Sequence, residues 1–343
     1  VSSKTIDSRQ QPSKKISPIL SFGAGIAKAA SGTVLGITMI GSAIAAGGLV
    51  GLAISFRNLP DVRVLSNYIP SETSYIYDIK GKLLTRLHGE ANRELVPLES
   101  ISPELKRAVI AVEDSSFYEH NGINPYSIGR AIVVNVQKGG VQEGASTLTM
   151  QLVKNLFLTK ERTFSRKLAE AILAVRVEQV FSKEEILEMY LNNIYWGHNN
   201  YGVQTAAETY FNKNASELNL EESAMMAGLI QAPEQYSPFT RYSATKVRQA
   251  IVLDRMATLG WISPSETDAA KQASLLVNKP TAWSESKLPF VTEAVIAELK
   301  ERFGKEKVLR GGMRVQTTID LNFQKMAEKS VQDGFKRLRR WGV

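Results

Sequence analysis

Residues 29–56 contain no charged side chain, and Arg57 closes the run. Its 28 residues exceed the roughly 20 that span a hydrocarbon core as a helix, so it predicts a membrane anchor. Gly32/Gly36 and Gly47/Gly51 form small-xxx-small pairs within it, which fit either a helix-packing face or the general glycine tolerance of membrane helices. A signal peptide cut after Ala43-Ile44-Ala45 is the competing reading, but the apolar run continues past that point, longer than an h-region wants. Further on, Tyr75-Ile76-Tyr77-Asp78 and Leu83-Leu84 around Lys80-Gly81-Lys82 predict a small β-hairpin. Helical spacing dominates the rest. Ser102-Pro103 opens a helix in which Leu105, Ala108, Val109 and Val112 share a face. Helices are also expected over 126–138 (closed by Gly139-Gly140), 147–158, 164–180, 184–191, 246–259 and 264–273. Ser182-x-x-Glu185 and Asn219-x-x-Glu222 are capping boxes, the second opening a helix that ends before Pro233. After Gly311-Gly312, residues 313–319 read as a strand and 322–338 as a basic amphipathic helix. That element begins just before the chain stops, and residue 1 is not Met, so the chain reads as a fragment.

Composition narrows the chemistry. The 343 residues include no cysteine and only three histidines, which excludes a thiol nucleophile, iron–sulfur clusters and Cys-based zinc sites. The net charge is +8, but half of that excess lies in residues 1–28, where Lys4, Arg9, Lys14, Lys15 and Lys28 face Asp7 alone. A nucleic-acid partner loses most of its support on that distribution. Basic residues before the apolar run predict a cytoplasmic N-terminus, with the bulk of the chain outside.

Three segments could carry chemistry. Glu113-Asp114 ends an apolar-faced helix just before Phe117 and His120; a carboxylate between an apolar face and aromatic rings is partly desolvated, which raises its pKa toward a general acid or base. Solvated acidic pairs at helix ends are also common. In the stretch 144–155, Thr147, Gln151 and Lys154 fall at i, i+4 and i+7, so one helix face would present a hydroxyl, an amide and an ammonium, backed by Leu148, Leu152 and Leu156. Gly144 and Ser146 at that helix start would leave free backbone N–H groups, an anion site. A solvated polar face is the alternative. Arg166-Lys167-x-x-Glu170 brings two cations within helical reach of a second carboxylate, as in ordinary surface pairing. Together the segments suit a reaction with a carboxylate base and an anionic, phosphate-bearing leaving group. His198 matches no motif and is expected to be a solvated loop histidine.

The segment 113–122 resembles the motif E-D-x-x-F-x-x-H-x-G, 144–155 resembles G-x-S-T-x-T-Q-Q-x-x-K-N, and 166–170 resembles R-K-x-x-E. Segments 183–192 and 202–211 resemble the fourth and fifth motifs of the same family, the peptidoglycan glycosyltransferases (family 51) of class A bifunctional penicillin-binding proteins. Met150 stands where a Gln is usual and Asn212 where a Gly is usual. The resemblance implies a mainly α, lysozyme-like two-lobed domain with an N-terminal transmembrane helix and a small β-hairpin. Its expected divisions are a basic tail 1–28, an anchor 29–56, the glycosyltransferase domain 57–305, and a linker with the start of a transpeptidase domain at 306–343. It implies lipid II and the growing lipid-linked glycan as substrates, with undecaprenyl pyrophosphate released, on the outer side of a bacterial plasma membrane among other cell-wall synthesis proteins. Glu113 is then the base and Glu170 the second acidic residue, while Lys154, Arg166 and Lys167 neutralise the leaving pyrophosphate. Asp114, Phe117, His120, Ser146, Thr147, Gln151 and Asn155 carry over as shaping or substrate-binding positions. No cofactor is required, though a divalent Mg or Mn ion assists some members. Ser243-x-x-Lys246 and Ser284-x-x-Lys287 match the transpeptidase nucleophile motif formally, but no K-T-G follows, so penicillin binding is not expected. A membrane-anchored muralytic enzyme would also use one Glu near a helix end but would gain nothing from the three cations. A non-catalytic envelope scaffold would not depend on Glu113 at all.

Overall fold

The computed structural model describes residues 59–68, 70–89, 91–139, 144–159, 161, 163–278 and 286–340. The basic tail, the apolar run 29–56, Gly140 and Ser284 lie outside the described residues, among which no helix is long and apolar enough to cross a membrane. In chain order the described elements are β1 (Ser74–Tyr77), β2 (Leu83–Leu87), α1 (Pro103–Glu113), α2 (Pro125–Gln137), α3 (Leu148–Phe157), α4 (Phe164–Glu178) and α5 (Lys183–Asn193). There follow β3 (Tyr195–Gly197), β4 (Asn200–Tyr201), α6 (Val203–Phe211), α7 (Leu220–Leu229), α8 (Tyr242–Thr258) and α9 (Pro264–Gln272). The last are α10 (Pro289–Phe303), α11 (Lys305–Arg310), β5 (Arg314–Gln316) and α12 (Leu321–Arg340), with single 3-10 turns between several of them.

The helix starts follow local chemistry. Ser102 caps α1 through the Leu105 amide with Pro103 at the first position, and Thr163 caps α4 through the Arg166 amide. Both expected capping boxes are made, at Ser182/Glu185 and Asn219/Glu222. The second helix ends at Leu229, before Pro233. At the end of α6, Asn212 adopts φ 54° and ψ 39°, the left-handed region. This explains why glycine is usual there and why Asn, the residue most tolerant of that region after glycine, can replace it. Met150 is buried at 3% exposure, so the departure at that position falls in the apolar core.

Two packed groups of helices position the site. In one, α1 packs on α7 and α8, and α7 on α8, burying Leu105, Ala108 and Val109 against Met225, Met226, Val252, Leu253 and Met256. In the other, α3 lies between α4 and α5, with Leu148, Leu152, Val153, Leu173, Val177, Ile186 and Leu187 buried. Each such large apolar side chain contributes roughly 1.5–3 kcal/mol by leaving water. The loop after α1 is pressed onto α4 at Gly122, where φ is +86° and an added Cβ would lie 2.6 Å from the Ala174 carbonyl carbon. Only glycine fits there.

The hairpin turn is shaped by Asp78, whose Oδ1 accepts from the Lys80 and Lys82 amides at 2.8 and 2.7 Å. β5 joins β1 in parallel, giving the sheet order β2-β1-β5. The strand, Arg314–Gln316, is shorter than 313–319, and its last rung is the Thr317 amide on the Tyr77 carbonyl, which the Thr317 hydroxyl also meets at 2.8 Å. Ile76, Leu84, Leu288 and Leu321 form the core under this sheet, with Val291, Val295, Ile296 and Leu299 of α10 packed on it.

Candidate active site

Glu113 is the last residue of α1, because Asp114 leaves helical geometry at φ −162° and ψ 74°. Its side chain is half-buried beside a cavity of about 1270 Å³ also lined by Asp114, Gln151, Lys154, Arg248 and Arg255. Burial pushes the Glu113 carboxyl up from its ordinary value, while the Gln151 hydrogen bond and the Arg248 and Lys154 charges oppose the rise. Gln151 Nε2 donates to Glu113 Oε2 at 2.7 Å, and the buried Tyr190 hydroxyl donates to Gln151 Oε1 at 3.2 Å. Lys154, three residues further along α3, is half-buried. Desolvation lowers its pKa, opposed by Glu170 and Glu113, so the ammonium stands within electrostatic reach of both carboxylates.

The third motif forms a compact ion cluster. Glu170, 2% exposed, pairs with Arg166 through Oε1 and with Lys167 Nζ through Oε2 at 2.8 Å. Lys167 also donates to Ser146, a lining residue of the cavity; Arg166, Lys167 and Glu170 are not themselves among the lining residues. Asn155 is exposed on α3 and is likewise not in the lining. The structure therefore brings Glu113, Gln151 and Lys154 together at one wall, with the Arg166–Lys167–Glu170 cluster reaching it through Lys154 and Ser146.

Three expectations need correction. Thr147 does not present its hydroxyl from the helix face: it is the N-cap of α3, accepting from the Met150 amide at 3.1 Å and donating to the Gly122 carbonyl at 2.6 Å. The N-terminus of α3 is also not a free anion site. Asp114 Oδ2 accepts the Leu148 amide at 3.1 Å, so a carboxylate of the chain already sits where the helix dipole favours one. The same Oδ2 lies 2.9 Å from His120 Nε2. Phe117 is fully buried behind this pair, with Lys183 Nζ 4.4 Å from its ring centroid. Asp114, Phe117, His120 and Thr147 thus tie the end of α1 to the start of α3. His198 is also not a solvated loop residue, since its Nε2 lies 2.7 Å from Ser237 Oγ and its ring packs edge-on against Phe239.

Sequence reasoning missed the part of the lining supplied by α8. Arg248 and Arg255 both line the cavity from α8; Arg255 Nη2 donates to Ser115 Oγ at 2.7 Å, and the Arg248 guanidinium lies over the Tyr236 ring at 5.3 Å. Arg248, Ile251 and Arg255 stand at i, i+3 and i+7, a same-face stripe that the sequence does contain. Tyr190 was visible only as a motif position without a role. As for metals, among the described residues no three His, Asp or Glu side chains converge as a metal site, and both Glu170 oxygens are occupied by cations. The described residues therefore offer no ready-made site for a metal ion held by the protein.

The transglycosylase family model matches residues 80–257. Penicillin-binding protein 1A of Aquifex aeolicus is 40% identical over 305 residues, covering 89% of this chain and 42% of the relative. Penicillin-binding protein 1A of Escherichia coli K12 is 38% identical over 291 residues, covering 84% and 34%. The chain thus spans about two fifths or less of the length of these curated relatives. A crystal structure of penicillin-binding protein 1A from Haemophilus influenzae aligns over 76% of this chain and 29% of that one, at 29% identity and a TM-score of 0.45; the assignment rests on the sequence matches. With this match over more than half of its residues and relatives about 40% identical over most of its length, the chain belongs to the transglycosylase family, the peptidoglycan glycosyltransferase domains of class A penicillin-binding proteins.

Proposed function

We propose that the chain polymerises lipid II, with Glu113 as the base. The observation that carries this reading is the half-buried Glu113 carboxylate, held by Gln151 and flanked by Arg248 and Lys154. Glu113 takes the proton of the acceptor sugar 4-hydroxyl as its oxygen bonds to the anomeric carbon of the lipid-linked donor. The bond from that carbon to the pyrophosphate oxygen breaks on the opposite face, inverting the centre, and its electron pair leaves with undecaprenyl pyrophosphate. A carboxylate with raised proton affinity suits abstraction from an alcohol. Pyrophosphate leaves without being protonated once its charge is matched, so the second carboxylic acid of a glycosidase is not needed.

Lys154, Arg166 and Lys167 supply that matching charge, and Glu170 orients the latter two through its ion pairs. Asp114, Phe117, His120 and Thr147 hold α3, and thereby Gln151 and Lys154, in place. Ser146 and Asn155 belong to the substrate-binding set. The same reading makes the domain lysozyme-like and two-lobed, anchored by residues 29–56 in a bacterial plasma membrane with the catalytic part outside. Incubation with labelled lipid II in detergent separates the readings. Glycan polymer supports the proposal, shortening of finished glycan would make the chain muralytic, and no reaction with either substrate would favour a scaffold.

A further inference from the structure

Tyr190 lies in α5, fully buried at 1% exposure, and its hydroxyl touches no part of the cavity directly. Its one hydrogen bond runs to Gln151 Oε1, and the other end of that amide meets Glu113. Three elements therefore meet in one line: the phenol of α5, the amide of α3 and the carboxylate of α1. We infer that Tyr190 is a positioning residue for the proposed reaction, holding the Gln151 amide with its NH₂ end toward the ionised Glu113 carboxylate. The inference rests on Glu113 being the base.

The reason lies in donor and acceptor counts. An ionised carboxylate only accepts, so it requires the Gln151 NH₂ and leaves Oε1 to the phenol, which donates. Once Glu113 has taken a proton its other oxygen can still accept from Nε2, but a second arrangement opens, with the amide turned end for end. Oε1 then accepts from the carboxyl and Nε2 donates to the phenol oxygen. By accepting from the phenol, Oε1 leaves Nε2 a stronger donor to the ionised carboxylate; phenylalanine removes that bond and strands a buried Oε1. Other titratable and charged groups around the cavity are Arg248 and Arg255 from α8, Lys154 from α3, Arg130 from α2, and Asp114, Glu119 and His120 from the segment after α1. Each of these is a fixed contribution that a change at Tyr190 leaves in place.

Carbon-13 NMR of the labelled side-chain carboxyls tests this without turnover, with the Glu113 signal assigned by its loss in Glu113→Gln. In Tyr190→Phe the amide is no longer held as a donor, and the Glu113 titration should rise by about one pH unit, the scale of one weakened hydrogen bond to a charge. In a Gln151→Met background, Tyr190→Phe should cause no further shift, because the phenol acts only through the amide. Where Tyr190→Phe fails to fold, 3-fluorotyrosine in place of Tyr190 strengthens the donor and should shift the titration downward. A wild-type titration in the folded variant, an equal shift in the Gln151→Met background, or no shift with fluorotyrosine would overturn the inference. Lipid II assays on the same proteins should show the acid limb of kcat moving with the titration at unchanged KM. Absence of polymerisation by the wild type, with the titration shifts present, would remove the proposed function and leave the Tyr190–Gln151–Glu113 linkage standing.

Discussion

At neutral pH a base must be ionised, yet burial pushes Glu113 toward its protonated form. The opposition predicts an acid limb of the rate profile above the ordinary carboxylate range, read from the pH dependence of lipid II turnover. It also fixes the sign of a stability effect. Because the folded protein holds this proton more tightly than the unfolded chain, the contribution of Glu113 is fully favourable below the ordinary carboxylate value. It is lost as pH rises through the raised folded value. Lys154 faces the complementary demand, since desolvation disfavours its charge while Glu170 and Glu113 support it. Removing it leaves developing negative charge unmatched in a partly dry cavity, which costs on the order of 3–4 kcal/mol of transition-state stabilisation. Lys154→Ala should therefore slow polymerisation by about 10²–10³-fold. A purely structural role would instead lower the melting temperature with turnover retained at a permissive temperature.

At the scale of elements, the site depends on how α1 ends and α3 begins. Asp114 accepts the Leu148 amide and pairs with His120 from a buried position. Asp114→Ala would leave both groups without that partner, and a loss of about 3–6 kcal/mol is expected from two buried hydrogen bonds accepted by one carboxylate. Denaturant unfolding at fixed pH reads it; a loss below about 0.5 kcal/mol, the usual range for surface changes, would contradict the tie between the helices. The same region shows what a sequence can and cannot carry. Gln151 and Lys154 were legible because both lie in the body of α3, where helical spacing holds. Thr147 was misplaced because the helix begins one residue later, and a cap turns its hydroxyl back onto its own helix and onto Gly122. α6 was illegible as a helix because eight of its nine residues, Val203–Thr205 among them, are buried, so no amphipathic stripe exists to read. Arg248 and Arg255 were overlooked although their spacing is helical, since nothing local indicates that they share a cavity with Glu113.

Across the whole molecule, the membrane expectation rests on the apolar run 29–56 and the cations before it. Reporters fused at residue 1 and at Val343 should be found in the cytoplasm and outside it respectively; a mature chain beginning near Ala46 would mean cleavage instead. The hairpin, the strand β5 and α10 share one apolar core. Motif reading did not predict that closure, because β1 and β5 pair across more than two hundred residues. The account as a whole stands on one carboxylate. Its most direct measurement is lipid II turnover by Glu113→Gln beside the unaltered protein, with the thermal midpoint of each taken at neutral pH. A loss of about 10²–10⁴-fold is predicted, with a midpoint equal to or above that of the unaltered protein because a buried charge has been removed. Near-normal polymerisation by a folded Glu113→Gln protein would contradict the account.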